Sequence, residues 1–138
     1  MSLQINCRKI VGGIGKGTAI VTTQQINFLS MVDTKRGTVN DQNHELFGRS
    51  IKGCVLVFPN AIGSSVGAYA IYSLKANGVA PAAIVCTNKV DITTASGCAI
   101  ANIPLVNTSD VILFSGIKLG LEAIVDADNE KITVIQTV

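Results

Sequence analysis

The chain has 138 residues, 48% of them hydrophobic and 14% charged, and a formal net charge of +2. That length predicts one domain, residues 1–138, with enough apolar material for a true core. The small charge, the 4% aromatic content and the lack of tryptophan argue against nucleic acid as a partner, and no apolar run is long enough to span a bilayer.

The mean hydropathy of +0.45 implies a surface that is unusually apolar or partly covered by another chain. The start, Met1-Ser2-Leu3-Gln4-Ile5-Asn6, lacks a signal peptide's apolar core, so a cytoplasmic location is expected. Cys7, Cys54, Cys86 and Cys98 form no CxxC pair, and each lies in or beside an apolar segment. With one histidine in the chain, they are expected to be small core residues rather than zinc ligands or disulfides. They would ligate a cluster only if another chain supplied most of the ligands.

Cys7 to Val21 predicts a strand, a glycine-rich bend and a second strand. Gly13, Gly15 and Gly17 imitate a phosphate loop, but strand-like Thr18-Ala19-Ile20-Val21 follows instead of the helix a dinucleotide fingerprint needs. Gln25-Ile26-Asn27-Phe28 predicts a strand start, and Asp33 to Thr38 a turn on Gly37. His44 lies in a polar stretch, where a solvated or hydrogen-bonding role is expected over proton transfer. Arg49 is either a carboxylate or phosphate ligand or a surface arginine.

Cys54 to Phe58 is a continuous Val-rich run, the composition of a strand covered on both faces. Pro59-Asn60 ends it. Gly63 allows a turn, and helical spacing of Ala68, Ile71, Tyr72 and Leu74 then runs to Asn77-Gly78. Ser64 or Ser65 can cap this helix. The same position offers a serine hydroxyl to free amides and the positive helix end, where an anion or alkoxide is stabilised.

Ala80 to Cys86 predicts a strand parallel to the first. Asp91, Thr93 or Thr94 can cap a second helix through Ala101, with Gly97 a weak point in it. A third strand begins at Ile103-Pro104-Leu105-Val106. Leu121 to Asp126 and Lys131 to Ile135 predict a hairpin around Ala127 to Glu130. The fold class is therefore α/β: barrel-like β-sheets around a central strand-helix-strand-helix-strand unit, with the helices outside.

Several of these segments resemble one known family. They are Ile26-Asn27-Phe28-Leu29; Val32-Asp33 with Gly37; and Leu46 through Gly53. Val55 to Pro59, Gly63-Ser64-Ser65-Val66-Gly67 and Ala80 to Val85 continue the pattern, which ends at Ala99-Ile100-Ala101 and Ile103 to Val106. Together, from about Ile10 to the C-terminus, they resemble the swivelling domain of the aconitase X family. The resemblance implies a compact β/β/α domain acting as the small subunit of a hydro-lyase. The implied reaction is dehydration of (R)-5-phosphomevalonate in a modified mevalonate route to isoprenoids. It implies a large subunit that carries a [4Fe-4S] iron–sulfur cluster, and a hetero-oligomer of the two. Ser64, directly after Gly63, matches the family's serine proton acceptor. Gly63, Ser65 and Arg49 are the candidate substrate contacts. Ile62 stands where relatives often have a basic residue.

The residues themselves fit such a role. Dehydration needs a base for a carbon-bound proton and a Lewis acid for the leaving hydroxide, and this chain offers neither a convincing acid–base pair nor a metal-ligand set. It is expected to be inactive alone. Three other readings remain. One is a dehydratase subunit for another hydroxy acid, such as a hydroxyproline-type compound. Another is a ligand-binding or scaffolding domain in which Ser64 only caps a helix. The last is a serine hydrolase using His44, which nothing in the sequence brings near Ser64.

Overall fold

The computed structural model describes residues 2–110 and 121–135. Three strands come first: β1 (Ser2–Asn6), β2 (Arg8–Val11) and β3 (Ile14–Val21). A single helical turn, α1 (Phe28–Met31), precedes a short hairpin of β4 (Val32–Asp33) and β5 (Thr38–Val39). The middle alternates: β6 (Val55–Phe58), α2 (Gly67–Ala76), β7 (Ala83–Cys86), α3 (Ile92–Ala101) and β8 (Leu105–Asn107). A second hairpin, β9 (Glu122–Asp126) and β10 (Lys131–Ile135), follows.

Eight of these strands form one mixed sheet in the order β1-β10-β9-β3-β6-β7-β8-β2. Its two edges are consecutive in the chain. Only Cys7 separates β1, antiparallel to β10, from β2, antiparallel to β8. Edges joined by one residue must lie side by side, so the sheet curls into a barrel. The seam is fastened by Cys7 N–H to the Glu130 carbonyl (3.1 Å) and by Thr108 Oγ1 to the Asn6 carbonyl (3.1 Å).

Side-chain alternation then separates two cores. Val55 and Val57 of β6, Ala83 and Val85 of β7 and Val106 of β8 face the barrel interior, joined by Ile5, Ala19, Val125, Ile132 and Val134. Leu56 and Phe58, Ile84 and Cys86, and Leu105 point the other way, onto Ile71 and Leu74 of α2 and Cys98 of α3. Strands β6 and β7 are buried at every position, which explains their unbroken apolar runs. Each fully buried Leu, Ile or Phe side chain contributes roughly 1.5–3 kcal/mol. Phe28 of α1 meets Phe58 edge to face, with ring centroids 5.7 Å apart.

The parallel pairing of β3, β6, β7 and β8 matches expectation. Two expectations need correction. Gln25 to Phe28 is no strand: Ile26 makes one isolated bridge to Ala61, and Asn27 caps α1 by accepting from the Leu29 and Ser30 amides (3.1 and 3.2 Å). Capping competes with strand extension at an Asn, and here it prevails. Nor is Gly97 merely a weak point of α3. A Cβ there would lie 2.8–2.9 Å from Ile71, so glycine lets α2 and α3 approach closely. Strand β1 has no counterpart in the elements read from sequence, although Leu3 and Ile5 alternate with polar Ser2, Gln4 and Asn6; the signal is only five residues long. Among the described residues, no helix is long and apolar enough to cross a membrane.

The glycine strand β3 passes tightly over its neighbours. A Cβ on Gly17 would lie 2.1 Å from the Gly53 carbonyl oxygen, whereas one on Gly48 (φ +81°) would meet nothing within 4 Å. Gly17→Ala should therefore destabilise the fold by about 3 kcal/mol in urea unfolding, through overpacking against backbone. Gly48→Ala should cost only about 1–2 kcal/mol of left-handed backbone strain. Equal costs would contradict the close approach.

Cys54, Cys86 and Cys98 are core residues, as expected, whereas Cys7 is half-buried at the seam. Burial pushes the Cys54 and Cys98 thiols from 9.0 up to about 12, raises Cys86 further, and raises half-buried Cys7 to about 11. Unfolding returns them to ordinary values. Above pH ~9 the unfolded chain then holds fewer thiol protons than the folded one, so stability falls as pH rises. Unfolding midpoints should decline between about pH 9 and 11. Replacing Cys54 and Cys98 by Ala should flatten that decline, and an unchanged slope would contradict the burial account.

Candidate functional site

The carboxyl ends of β3, β6, β7 and β8 open on one side of the sheet, the usual position for ligands in parallel sheets. A row of side-chain amides crosses them. Asn60 Oδ1 accepts from Gln25 Nε2 (3.3 Å) and Asn88 Nδ2 (3.2 Å), and Asn107 Nδ2 donates to the Asn88 carbonyl (2.6 Å). The loops after the strands are thus tied to one another.

The glycine-serine turn rises from this platform. Ala61 is buried, and its amide donates to Asp91 Oδ1 at 2.8 Å. The Ile62 amide donates to the Ile26 carbonyl at 3.0 Å. Gly63 has φ +98°, and a Cβ there would lie 2.4 Å from Asn27 Nδ2. The position thus demands glycine for both its backbone angle and its contact with the α1 cap. Ser64 and Ser65 follow, both exposed.

Neither serine is the N-cap of α2. That position is Val66, with no side-chain cap. Instead, Ser64 closes a turn one step earlier: its Oγ accepts from the Val66 amide at 3.2 Å, and its carbonyl accepts from the Gly67 amide at 3.0 Å. The Ser65 carbonyl accepts from Ala68, and Val66's from Tyr69. The expected set of free helix amides is therefore reduced. Those of residues 67–69 bond within the lead-in turn, and only the Val66 amide points to the Ser64 oxygen. The positive end of the ten-residue α2 still faces this turn.

Arg49 sits elsewhere. It is exposed, and its charge acts on the thiol of Cys54, which precedes β6, whereas Ser64 follows that strand. Among the described residues Arg49 and Ser64 share no hydrogen bond. His44 is buried rather than solvated. Its Nδ1 accepts from the Leu46 amide (3.1 Å), so its Nε2 carries the hydrogen toward the Gln25 carbonyl (3.2 Å). Both nitrogens brace loops, so His44, the chain's one histidine, is not held as a base for Ser64. A shallow pocket of about 240 Å³ lies beside the turn, lined by Gln24, Gln25, Asp41, His44 and Ile62 among others.

Asn27 and Asp91 are the residues that sequence reasoning undervalued. Asp91 is the cap of α3, as expected, through the Thr94 amide at 2.8 Å. Its second bond, to Ala61, spans 30 positions and leaves no local signal. Around the turn the surface is apolar: Ile62, Val66, Tyr69 and, at the start of α3, Ile92 are exposed. Among the described residues, no three of His, Cys, Asp and Glu are grouped to hold a metal ion.

Comparison with known proteins agrees with this architecture. A phosphomevalonate dehydratase small subunit from Methanothrix thermoacetophila is 43% identical over 128 residues, 93% of this chain and 92% of its own length. Its counterpart from Methanothermobacter thermautotrophicus is 42% identical over 130 residues, 94% of this chain and 98% of its own. A chain of the holo-form crystal structure of Thermococcus kodakaraensis aconitase X superposes with a TM-score of 0.89 at 39% identity, covering 97% of this chain and 99% of that one. The family model described as the aconitase X swivel domain matches residues 4–134, and the chain belongs to that family.

Proposed function

We propose that this chain is the small subunit of a phosphomevalonate dehydratase, and that Ser64 accepts the proton removed from the substrate's carbon. The carrying observation is an exposed serine on a turn held by the segment before α1 and by the start of α3, in a chain whose relatives bear that name. The reaction takes water from (R)-5-phosphomevalonate and leaves trans-anhydromevalonate 5-phosphate. A C–H bond beside the carboxylate and a C–O bond must break.

Serine is a weak base unless negative charge on its oxygen is stabilised. The Val66 amide supplies one donor, whose hydrogen bond strengthens when the oxygen ionises. The amino end of α2 adds its dipole. Cations of the partner supply the remainder. Gly63 sets the direction of the turn through its positive φ and its packing on Asn27, and exposed Ser65 adjoins the reacting oxygen. Arg49 is not used in this reading.

An iron–sulfur cluster, implied by the family, does not fit this chain. Cys54, Cys86 and Cys98 are buried in the cores with their thiols held protonated, and Cys7 stands apart at the barrel seam. The cluster and the rest of the active site are assigned to a large subunit. Its docking covers the apolar rim of Ile62, Val66, Tyr69 and Ile92, which accounts for the high hydropathy.

One observation favours a second substrate. Apolar Ile62 adjoins Gly63, and Asp41 lines the neighbouring pocket, an environment without a cation for a phosphate. Another hydroxy acid without that group is the alternative, and a substrate panel separates the two.

Co-production with the candidate large subunit and anaerobic purification should yield dehydration of 5-phosphomevalonate only by the complex. Ser64→Ala should lower turnover at least ~10²-fold, with assembly and unfolding midpoint unchanged. Unchanged turnover would overturn the role of Ser64.

A further inference from the structure

Both ends of the serine turn rest on the first turn of α3. At one end the Ala61 amide donates to Asp91 Oδ1 (2.8 Å). At the other, Gly67 packs on Thr93, whose Cγ2 would lie 3.0 Å from a Cβ at position 67. The Asp91 carboxylate is itself fixed, accepting from the Thr94 amide at 2.8 Å and from the Thr94 hydroxyl at 2.9 Å. Thr94 is fully buried, so the carboxylate has little freedom.

We propose that Asp91 is a positioning residue for Ser64: one carboxylate caps α3 and, through Ala61, fixes the height and direction of the serine turn. This rests on the reading of Ser64 as proton acceptor. A helix cap needs one acceptor oxygen, but Asp91 uses two, and the second serves a different segment. The tether matters because a proton acceptor displaced by about 1 Å loses on the order of 10²-fold in rate.

Two variants separate the roles. Asp91→Ser keeps a good cap for the Thr94 amide and is too short to hold Ala61 as well. Asp91→Ala loses both bonds. In the complex with the large subunit, Asp91→Ser should keep the wild-type KM while kcat falls by about 10²-fold. Asp91→Ala should show the same loss of kcat and a larger drop in unfolding midpoint than Asp91→Ser, because it loses the α3 cap as well as the Ala61 bond. Amide hydrogen exchange on the full chain supplies an independent readout: Ala61 should exchange at least about tenfold faster in both variants, while α3 stays protected in Asp91→Ser.

Wild-type kcat in Asp91→Ser would overturn the proposal and leave Asp91 a helix cap. Unchanged exchange at Ala61 would overturn it equally. A wild-type complex that does not dehydrate phosphomevalonate would instead count against the substrate assignment, and the exchange data would still decide whether the tether exists.

Discussion

The one-residue junction at Cys7 governs the molecule. Strands β1 and β2 follow one another in the chain, yet they stand at opposite ends of the strand order. That arrangement is possible only if the sheet closes on itself. Closure leaves no long open edge, and it encloses a small interior that Ala and Val side chains fill. It also leaves the other face of β6, β7 and β8 to the helices, and brings the carboxyl ends of four parallel strands to one mouth.

The serine turn exploits that mouth. It gets little rigidity from its own sequence, which is exposed and short. Segments remote in the chain hold it: Ile26 and Asn27 before α1, and Asp91 and Thr93 at α3. A hydroxyl held this way keeps its place without burial. Under the proposed function it is presented to a site completed by the large subunit, whose docking would explain the apolar rim and the low charge of the chain.

Much of this was legible in the residues. The run Val55 to Phe58, the glycine at 63 and the helical spacing after it defined β6, the turn and α2. The hairpin β9–β10 and the parallel middle followed from pattern and connection length. What escaped was non-local. Asn27 looked like a strand residue because its capping partners, two amides of a four-residue helix, leave no periodic trace. Gly17 read as part of a glycine-rich bend and Gly97 as a weak point in a helix, whereas both are places where backbone or a helix must come close. Arg49 read equally as an anion ligand or a surface residue, and it is exposed with its charge acting on Cys54. Asp91 announced its cap and hid its tether.

The central claim is that Ser64 exchanges a proton with the substrate's acidic carbon. The most direct measurement is deuterium incorporation at the carbon beside the carboxylate, followed by NMR on the assembled complex in D₂O. Wild-type complex should introduce deuterium there, and Ser64→Ala should do so at least ~10²-fold more slowly. Equal rates in the two complexes would show that another group moves the proton.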